Sequence, residues 1–330
     1  MKTAFVSVII PTKNSEKTLE ECLKSLKNQT YPKNKYEIII IDDHSMDGTL
    51  DIAKKYGAKI ITSNGPPGRQ RNKGISKSKG SIIGLIDSDC IAKKDWISEG
   101  LKYFISKETA VVGGPNLTPK NDPFISQCVG YVSSSKIGTG SMSARYLKDG
   151  FYAREADETS LISCNMFVLK DAIKKVNGFD ESLFPNEENE LMFRIKERGY
   201  KLIYVPSLLV WHHRRASIKK FFMQNLTYGT TRVQFIKKHP RALKLIHLFP
   251  SIFVLGLCAG PLLLFAPFII KIIYLSGIVS YVLLIFASSL NKTIKIKNIK
   301  LLGILPILFF LLHTAYGIGV LKGLLKKGLN

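Results

Sequence analysis

Short apolar runs, each closed by a polar or glycine-containing turn, recur through the first part of the chain. Between them, apolar residues return every three or four positions. The runs at 6–10, 36–41, 59–62 and 82–86 are rich in isoleucine and valine, and their near-continuous hydrophobicity predicts strands buried on both faces. After a turn at 11–15, Leu19, Cys22, Leu23 and Leu26 keep helical spacing. A second helix is expected from Thr49 to about Tyr56 with Gly57 at its end, and a third over 69–78. Strands and helices alternating in this way predict an α/β fold built on a parallel, doubly wound sheet. Further strands are expected at 111–115, 161–168, 200–205 and 208–211, with helices after Trp96 and after 186–190. The weakly periodic, Ser-, Gly- and Lys-rich stretch 116–158 reads as a loop-and-helix segment over the functional site.

The pattern changes after residue 216. Lys219, Lys220, Arg232, Lys237, Lys238 and Arg241 are interleaved with Phe221, Phe222, Leu226, Val233, Phe235 and Ile236, which predicts basic amphipathic helices over 217–247 lying in a membrane interface. Residues 248–290 carry a single charge, Lys271, long enough for two spans turning near 267–271. A polar stretch with four lysines follows at 291–300, then a third apolar run at 301–321. Three domains are expected: 1–216, 217–247, and a transmembrane region over 248–330 with spans at about 248–269, 272–290 and 301–321. If the front domain is cytoplasmic, a full third span would place Lys322, Lys326 and Lys327 outside, against the positive-inside tendency.

Charge supports this division. The net charge is +23, yet the first 197 residues contribute only +4, and from Arg198 onward there are 19 Lys or Arg and no acidic residue. The basic residues flank apolar runs, which fits an anionic membrane surface and not nucleic acid. The apolar start of the chain is too short for a signal peptide and reads as the first strand. Five cysteines without a CxxC pair support neither a zinc site nor a disulfide framework and suit a reducing compartment.

Three polar clusters fall at the carboxyl ends of predicted parallel strands, where such sheets bind ligands: the turn after the first strand, Asp42-Asp43, and Asp87-Ser88-Asp89. Asp87 and Asp89, two apart, can face one target, and hard oxygen ligands there suit a divalent cation carrying phosphate oxygens.

Taken in order, Pro11-Thr12-Lys13-Asn14, Ile41-Asp42-Asp43 through Gly48-Thr49, Gly68-Arg69-Gln70-Arg71-Asn72, Asp87-Ser88-Asp89, Cys164-Asn165-Met166, Asn186-Glu187-Glu188-Asn189-Glu190 and Trp211-His212-His213 resemble the signature of family 2 glycosyltransferases with the GT-A fold. The resemblance covers about residues 5–215. Residues 224–232, followed by apolar spans, look like the membrane-bound subset that builds exopolysaccharides, the succinoglycan-type enzymes. It implies a Rossmann-like, mostly parallel GT-A domain followed by interfacial and C-terminal transmembrane helices. The implied activity is inverting, metal-dependent transfer from a nucleoside diphosphate sugar to a lipid-linked sugar or growing glycan hydroxyl. The implied place is the cell membrane, with multiple passes and a cytoplasmic catalytic domain.

On that resemblance, Pro11, Asn14, Asp42, Asp43, Arg71 and Asp87 bind the nucleotide sugar, Asp42 lying near the ribose or serving the fold. Asp89, Asp87 and His212 hold Mg²⁺ or Mn²⁺, with a plain polar end-cap as the other role for His212. Cys164, Asn165, Gln224 and Arg232 lie on the acceptor side. Glu188 stands where the family usually has the Asp of a Glu-Asp pair and becomes the base that deprotonates the acceptor hydroxyl, with Glu187 and Glu190 as neighbouring candidates. Two other functions stay open: a polyprenyl-phosphate glycosyltransferase of the dolichol-phosphate-mannose type, whose ionised acceptor needs no base, and a non-enzymatic membrane scaffold retaining a nucleotide-binding fold.

Overall fold

The computed structural model describes residues 4–326; expectations touching residues 1–3 and Lys327 lie outside the described residues. The chain forms two compact units, Met1–Pro119 with Ala144–His213, and Lys120–Ser143 with Arg214–Asn330.

The first unit contains β1 (Val6–Thr12), β2 (Tyr36–Asp42), β3 (Lys59–Thr62), β4 (Ile82–Leu85), β5 (Cys90–Ala92), β6 (Thr109–Gly113), β7 (Asn116–Leu117), β8 (Arg154–Glu155), β9 (Met166–Leu169), β10 (Lys201–Tyr204) and β11 (Val210–His212). Eight of them make one sheet in the order β3-β2-β1-β4-β9-β6-β10-β8, and β5-β11-β7 make a small second sheet. All of β1, β4 and β6 is buried, as continuous apolar strands require. The helix Glu16–Lys27 buries the stripe Leu19, Cys22, Leu23 and Leu26. The third helix, Pro67–Lys77, begins ahead of the expected 69 because proline fits a first helical turn.

One strand departs from expectation. The run at 161–168 is divided: Ser163–Asn165 is a 3₁₀ turn and β9 starts only at Met166. β9 then runs antiparallel to both β4 and β6, with Met166 opposite Leu85 and Gly113. An antiparallel strand brings its amino end to the rim where its parallel neighbours end. Cys164 and Asn165 thereby reach the rim that carries Asp42-Asp43 and Asp87–Asp89.

The second unit is helical: Phe124–Ser133, Lys136–Thr139, Ile218–Lys238, Phe249–Leu263, Phe268–Ile296 and Lys300–Leu325. Three stretches, Leu245–Leu263, Phe268–Ile296 and Lys300–Leu325, are long and apolar enough to cross a membrane. The turn between the first two falls at 264–267, earlier than expected, because Pro267 caps the next helix. Most of the four-lysine stretch is helical, ending where Lys297 turns left-handed.

Ile218–Lys238 runs beside Lys300–Leu325 in the same direction. Leu226 meets Gly319, Thr230 meets Gly323, and Lys237 Nζ donates to the carbonyls of Gly323, Leu324 and Lys326 at 3.2, 3.1 and 2.7 Å. A Cβ at Gly229 or Gly319 would run into the carbonyl of Tyr316 or Leu226, so glycine sets this close approach. Ile218–Lys238 thus lies along the C-terminal half of the last apolar helix.

Candidate active site

The rim of the first unit is a chain of polar contacts. Asp42 is buried; its carboxylate accepts from Thr12 Oγ1 at 2.9 Å, Ser45 Oγ at 2.6 Å and Ser45 N at 2.8 Å. These bonds tie the ends of β1 and β2. Asn14, with φ of 49°, donates its backbone N–H to Ser45 Oγ at 2.8 Å and accepts from Met46 N at 2.9 Å. Asp47 caps Thr49 and accepts from Glu16 N. Pro11 is buried within β1. Asp43 faces outward and pairs with Lys13 Nζ at 2.7 Å; that hydrogen bond, with one from the Gly65 backbone, holds its carboxyl below the usual carboxylate range.

Arg71 is the hinge of the site. Its side chain is 3% exposed and carries two carboxylates, Asp87 Oδ1 at 2.9 Å and Glu187 Oε1 at 2.6 Å. The rim carboxylate after β4 and the acidic start of the helix Glu187–Glu197 are thereby fixed by one guanidinium, although 100 positions separate them in sequence. Arg71 Nε and Glu187 Oε2 are buried without a hydrogen-bond partner. Arg71 pulls the Glu187 pKa down, but burial and the adjacent Glu188 charge push harder and raise it to about 7. Glu188, also buried, has Oε1 3.4 Å from Arg145 Nη1 and 3.2 Å from Asn189 Nδ2. Arg145 donates in turn to the Thr159 and Glu158 carbonyls at 2.6 and 3.0 Å. Glu190 is committed elsewhere, gripping Arg194, whose guanidinium holds the Val176 and Gly178 carbonyls.

On the other side, Asp89 Oδ1 lies 3.3 Å from His212 Nε2, with both side chains partly open to solvent. The Asp89 backbone carbonyl accepts from His213 N at 3.0 Å.

The residues 7–176, more than half of the chain, match the model of glycosyl transferase family 2. The chain belongs to that family. It is 28% identical over 340 residues, 98% of each chain, to a dolichyl N-acetyl-α-D-glucosaminyl phosphate 3-β-D-2,3-diacetamido-2,3-dideoxy-β-D-glucuronosyltransferase of Methanococcus voltae. It is also 28% identical over 225 residues, 64% of this chain and 67% of the relative, to the glycosyltransferase AglE of Haloferax volcanii. Among solved structures, it resembles the mannosyltransferase PcManGT of Pyrobaculum calidifontis in complex with GDP-Man and Mn²⁺. The TM-score is 0.66 at 15% identity, covering 98% of this chain and 87% of that one, and this likeness concerns the fold.

As a family 2 glycosyltransferase the protein is an enzyme with the expected GT-A-like α/β fold, and the scaffold reading is set aside. Asn165 is fully buried and its amide is used up: Nδ2 donates to the Pro115 and Leu208 carbonyls at 2.8 and 2.7 Å, and Oδ1 accepts from Trp96 Nε1 at 2.7 Å. Those three bonds tie the turn before β9 to Trp96 and to the Pro115 and Leu208 carbonyls. Asn72 likewise bonds Phe179 on both sides, at 2.9 and 2.8 Å. Gln224 and Arg232 belong to the second unit, on the helix Ile218–Lys238. There Arg232 is buried over the Phe235 ring, 5.6 Å from its centroid.

Two features escaped the sequence reading. Arg145 sits in the weakly periodic stretch and has no motif around it. Cys164 does not stand alone either: it meets Cys90 and His212, with Sγ 3.9 Å from His212 Nδ1. A hydrogen bond from Cys90, and then His212, lower the Cys164 thiol to about 6, while burial raises that of Cys90. The absence of CxxC spacing concealed a Cys₂His group assembled from three separate segments.

Proposed function

We propose that this glycosyltransferase transfers a sugar, with inversion, from a nucleoside diphosphate sugar to a hydroxyl of a lipid-linked sugar or growing glycan. It works at the cytoplasmic face of the cell membrane, held there by its three apolar helices as a multi-pass protein. The observation that carries this reading is the Arg71 bridge, which joins the Asp87–Asp89 rim to the Glu187-Glu188 pair. The Methanococcus voltae relative, matched along its whole length, acts by its name on a dolichyl-phosphate-linked sugar, which supports the lipid-linked acceptor.

Asp43, at the end of β2, accepts the N–H of the nucleobase, exchanging the Lys13 ammonium for it. Arg71 uses its orphaned Nε and its charge toward the diphosphate. Asp89 and His212 offer one carboxylate and one imidazole at 3.3 Å, a donor set that fits Mg²⁺ or Mn²⁺. Asp87, engaged by Arg71, lies toward the ribose. When bound, such an ion supplies positive charge for the departing diphosphate. Glu188 takes the proton from the acceptor hydroxyl. A second assignment of the base has its own support: Glu187 has an unpartnered Oε2 and a pKa of about 7, near that of an effective base.

Turnover of nucleotide sugars by membranes containing single variants tests this. Asp89→Ala should cut turnover at least about a hundredfold. Glu188→Gln should cut it by about a hundred- to ten-thousandfold on a hydroxyl acceptor. If Glu187→Gln carries that loss and Glu188→Gln does not, the base is Glu187. If both Gln variants keep turnover on a polyprenyl phosphate, the acceptor is an ionised phosphate and the hydroxyl reading is wrong.

A further inference from the structure

Cys90, Cys164 and His212 come from three parts of the chain and converge. Cys90 opens β5, His212 closes β11, and the two are paired across the antiparallel ladder of the small sheet. Cys164 lies in the 3₁₀ turn before β9, held by the buried Asn165 amide beside it. The two thiol sulfurs and an imidazole nitrogen all lie within 4.8 Å of one another. Cys90 is 1% and Cys164 0% exposed, whereas the His212 side chain is 20% exposed and gives the group a side open to solvent.

We propose that these three residues form a binding site for a thiophilic divalent cation of the Zn²⁺ type. Metal–sulfur bonds of about 2.3 Å and metal–nitrogen bonds of about 2.0 Å in a tetrahedron place ligand atoms roughly 3.5–4 Å apart. The group needs only small side-chain rotations to close from its present spacing. Two thiolates and one imidazole select soft or borderline ions over Mg²⁺ and Ca²⁺. Three protein ligands leave a fourth position for water or for Asp89, whose Oδ1 is 3.7 Å from Cys90 Sγ. Ordinary buried cysteines pack singly among apolar side chains. Here two of them share one imidazole, and Cys164 meets its Nδ1 at 3.9 Å.

The site uses the nitrogen of His212 opposite to the one facing Asp89. A neutral imidazole ligating a metal through Nδ1 carries its proton on Nε2, and the reverse also holds. If Asp89 and His212 hold Mg²⁺ or Mn²⁺ as proposed above, the soft and hard ions therefore compete for His212. That corollary rests on the earlier reading, whereas the soft site itself does not.

The experiment uses the full chain in detergent, reduced and stripped of metal, titrated with Co²⁺. A thiolate-to-cobalt charge-transfer band that saturates at one equivalent and is bleached by one equivalent of Zn²⁺ is the expected result. Cys90→Ser and Cys164→Ser should lose the band while keeping the helical circular dichroism of the wild type. Cys22→Ser, a buried thiol outside the group, and Asp87→Asn should keep it. Folded wild-type protein without a thiolate band, or a band that survives both Cys90→Ser and Cys164→Ser, overturns the proposal. Because the readout is spectroscopic, it holds whichever way the turnover experiments fall.

Discussion

The two units expose opposite kinds of surface. In the α/β unit the charged or amide side chains of Asp42, Arg71, Asn165 and Glu188 are buried and each is held by named partners. In the helical unit the apolar side chains face outward: Phe265, Phe268 and Leu262 are 90%, 74% and 76% exposed. Only 6% of the apolar window of Phe268–Ile296 is buried. A soluble domain hides oil and satisfies its few buried polar groups, whereas a lipid-facing helix satisfies its backbone internally and shows its oil. One chain therefore follows two solvent rules, and substitutions should expose the difference.

The largest effect is expected at Asn165. Asn165→Leu keeps the number of side-chain atoms but leaves Trp96 Nε1 and the Leu208 carbonyl without partners and takes from the Pro115 carbonyl one of its two donors, at a cost of about 4 kcal/mol. Urea unfolding of the α/β unit, followed by Trp fluorescence, measures it; a loss below about 1 kcal/mol would show that water replaces the amide. Next comes the outward face of the helical unit. Leu283→Lys, at a position 61% exposed, costs almost nothing in a water-facing helix. In a membrane span it opposes insertion by about 3 kcal/mol. Glycosylation-tagged insertion assays decide which, and unchanged insertion would remove Phe268–Ile296 from the spans. Gly319→Leu tests packing inside that unit: the side chain would meet the Leu226 carbonyl and force the helices apart, for about 2 kcal/mol. Its measure is the thermal midpoint in detergent.

The last effect is one of pH. Glu187 titrates near 7 in the folded chain, above its ordinary 4.5. Between those values the folded protein holds a proton that the unfolded chain has released. The stability this gives is complete below the unfolded value and is lost as pH rises through about 7. Glu187→Gln removes that dependence, so from about pH 5 to about pH 8 the wild-type melting temperature should fall more than the variant's. Parallel profiles would mean that Arg71 keeps Glu187 ionised throughout.

Most strands of the large sheet, the stripe Leu19–Cys22–Leu23–Leu26 and the three apolar runs were legible because each is written in local periodicity, whereas the two-residue β8 is too short to leave one. The rim position of Asp42-Asp43 and Asp87–Asp89 followed from strand ends alone, and the ordered motifs added the family. What local pattern could not show is direction and partnership. Nothing in residues 161–168 says that β9 runs antiparallel, yet that reversal is what carries Cys164 to the rim and seats Asn165 against Trp96. Nor does sequence say that Arg71 spans Asp87 and Glu187, that Arg145 reaches Glu188, or that Cys90, Cys164 and His212 meet. The amino-acid sequence by itself determined most of the strands, which helices are apolar enough to cross a membrane, and which residue types stand at the strand ends, because these depend on neighbours within a few positions. Only the tertiary structure decided which charges share a partner. Contacts between residues a hundred positions apart depend on how the sheet is threaded, and burial then sets the electrostatics of whatever the threading brings together.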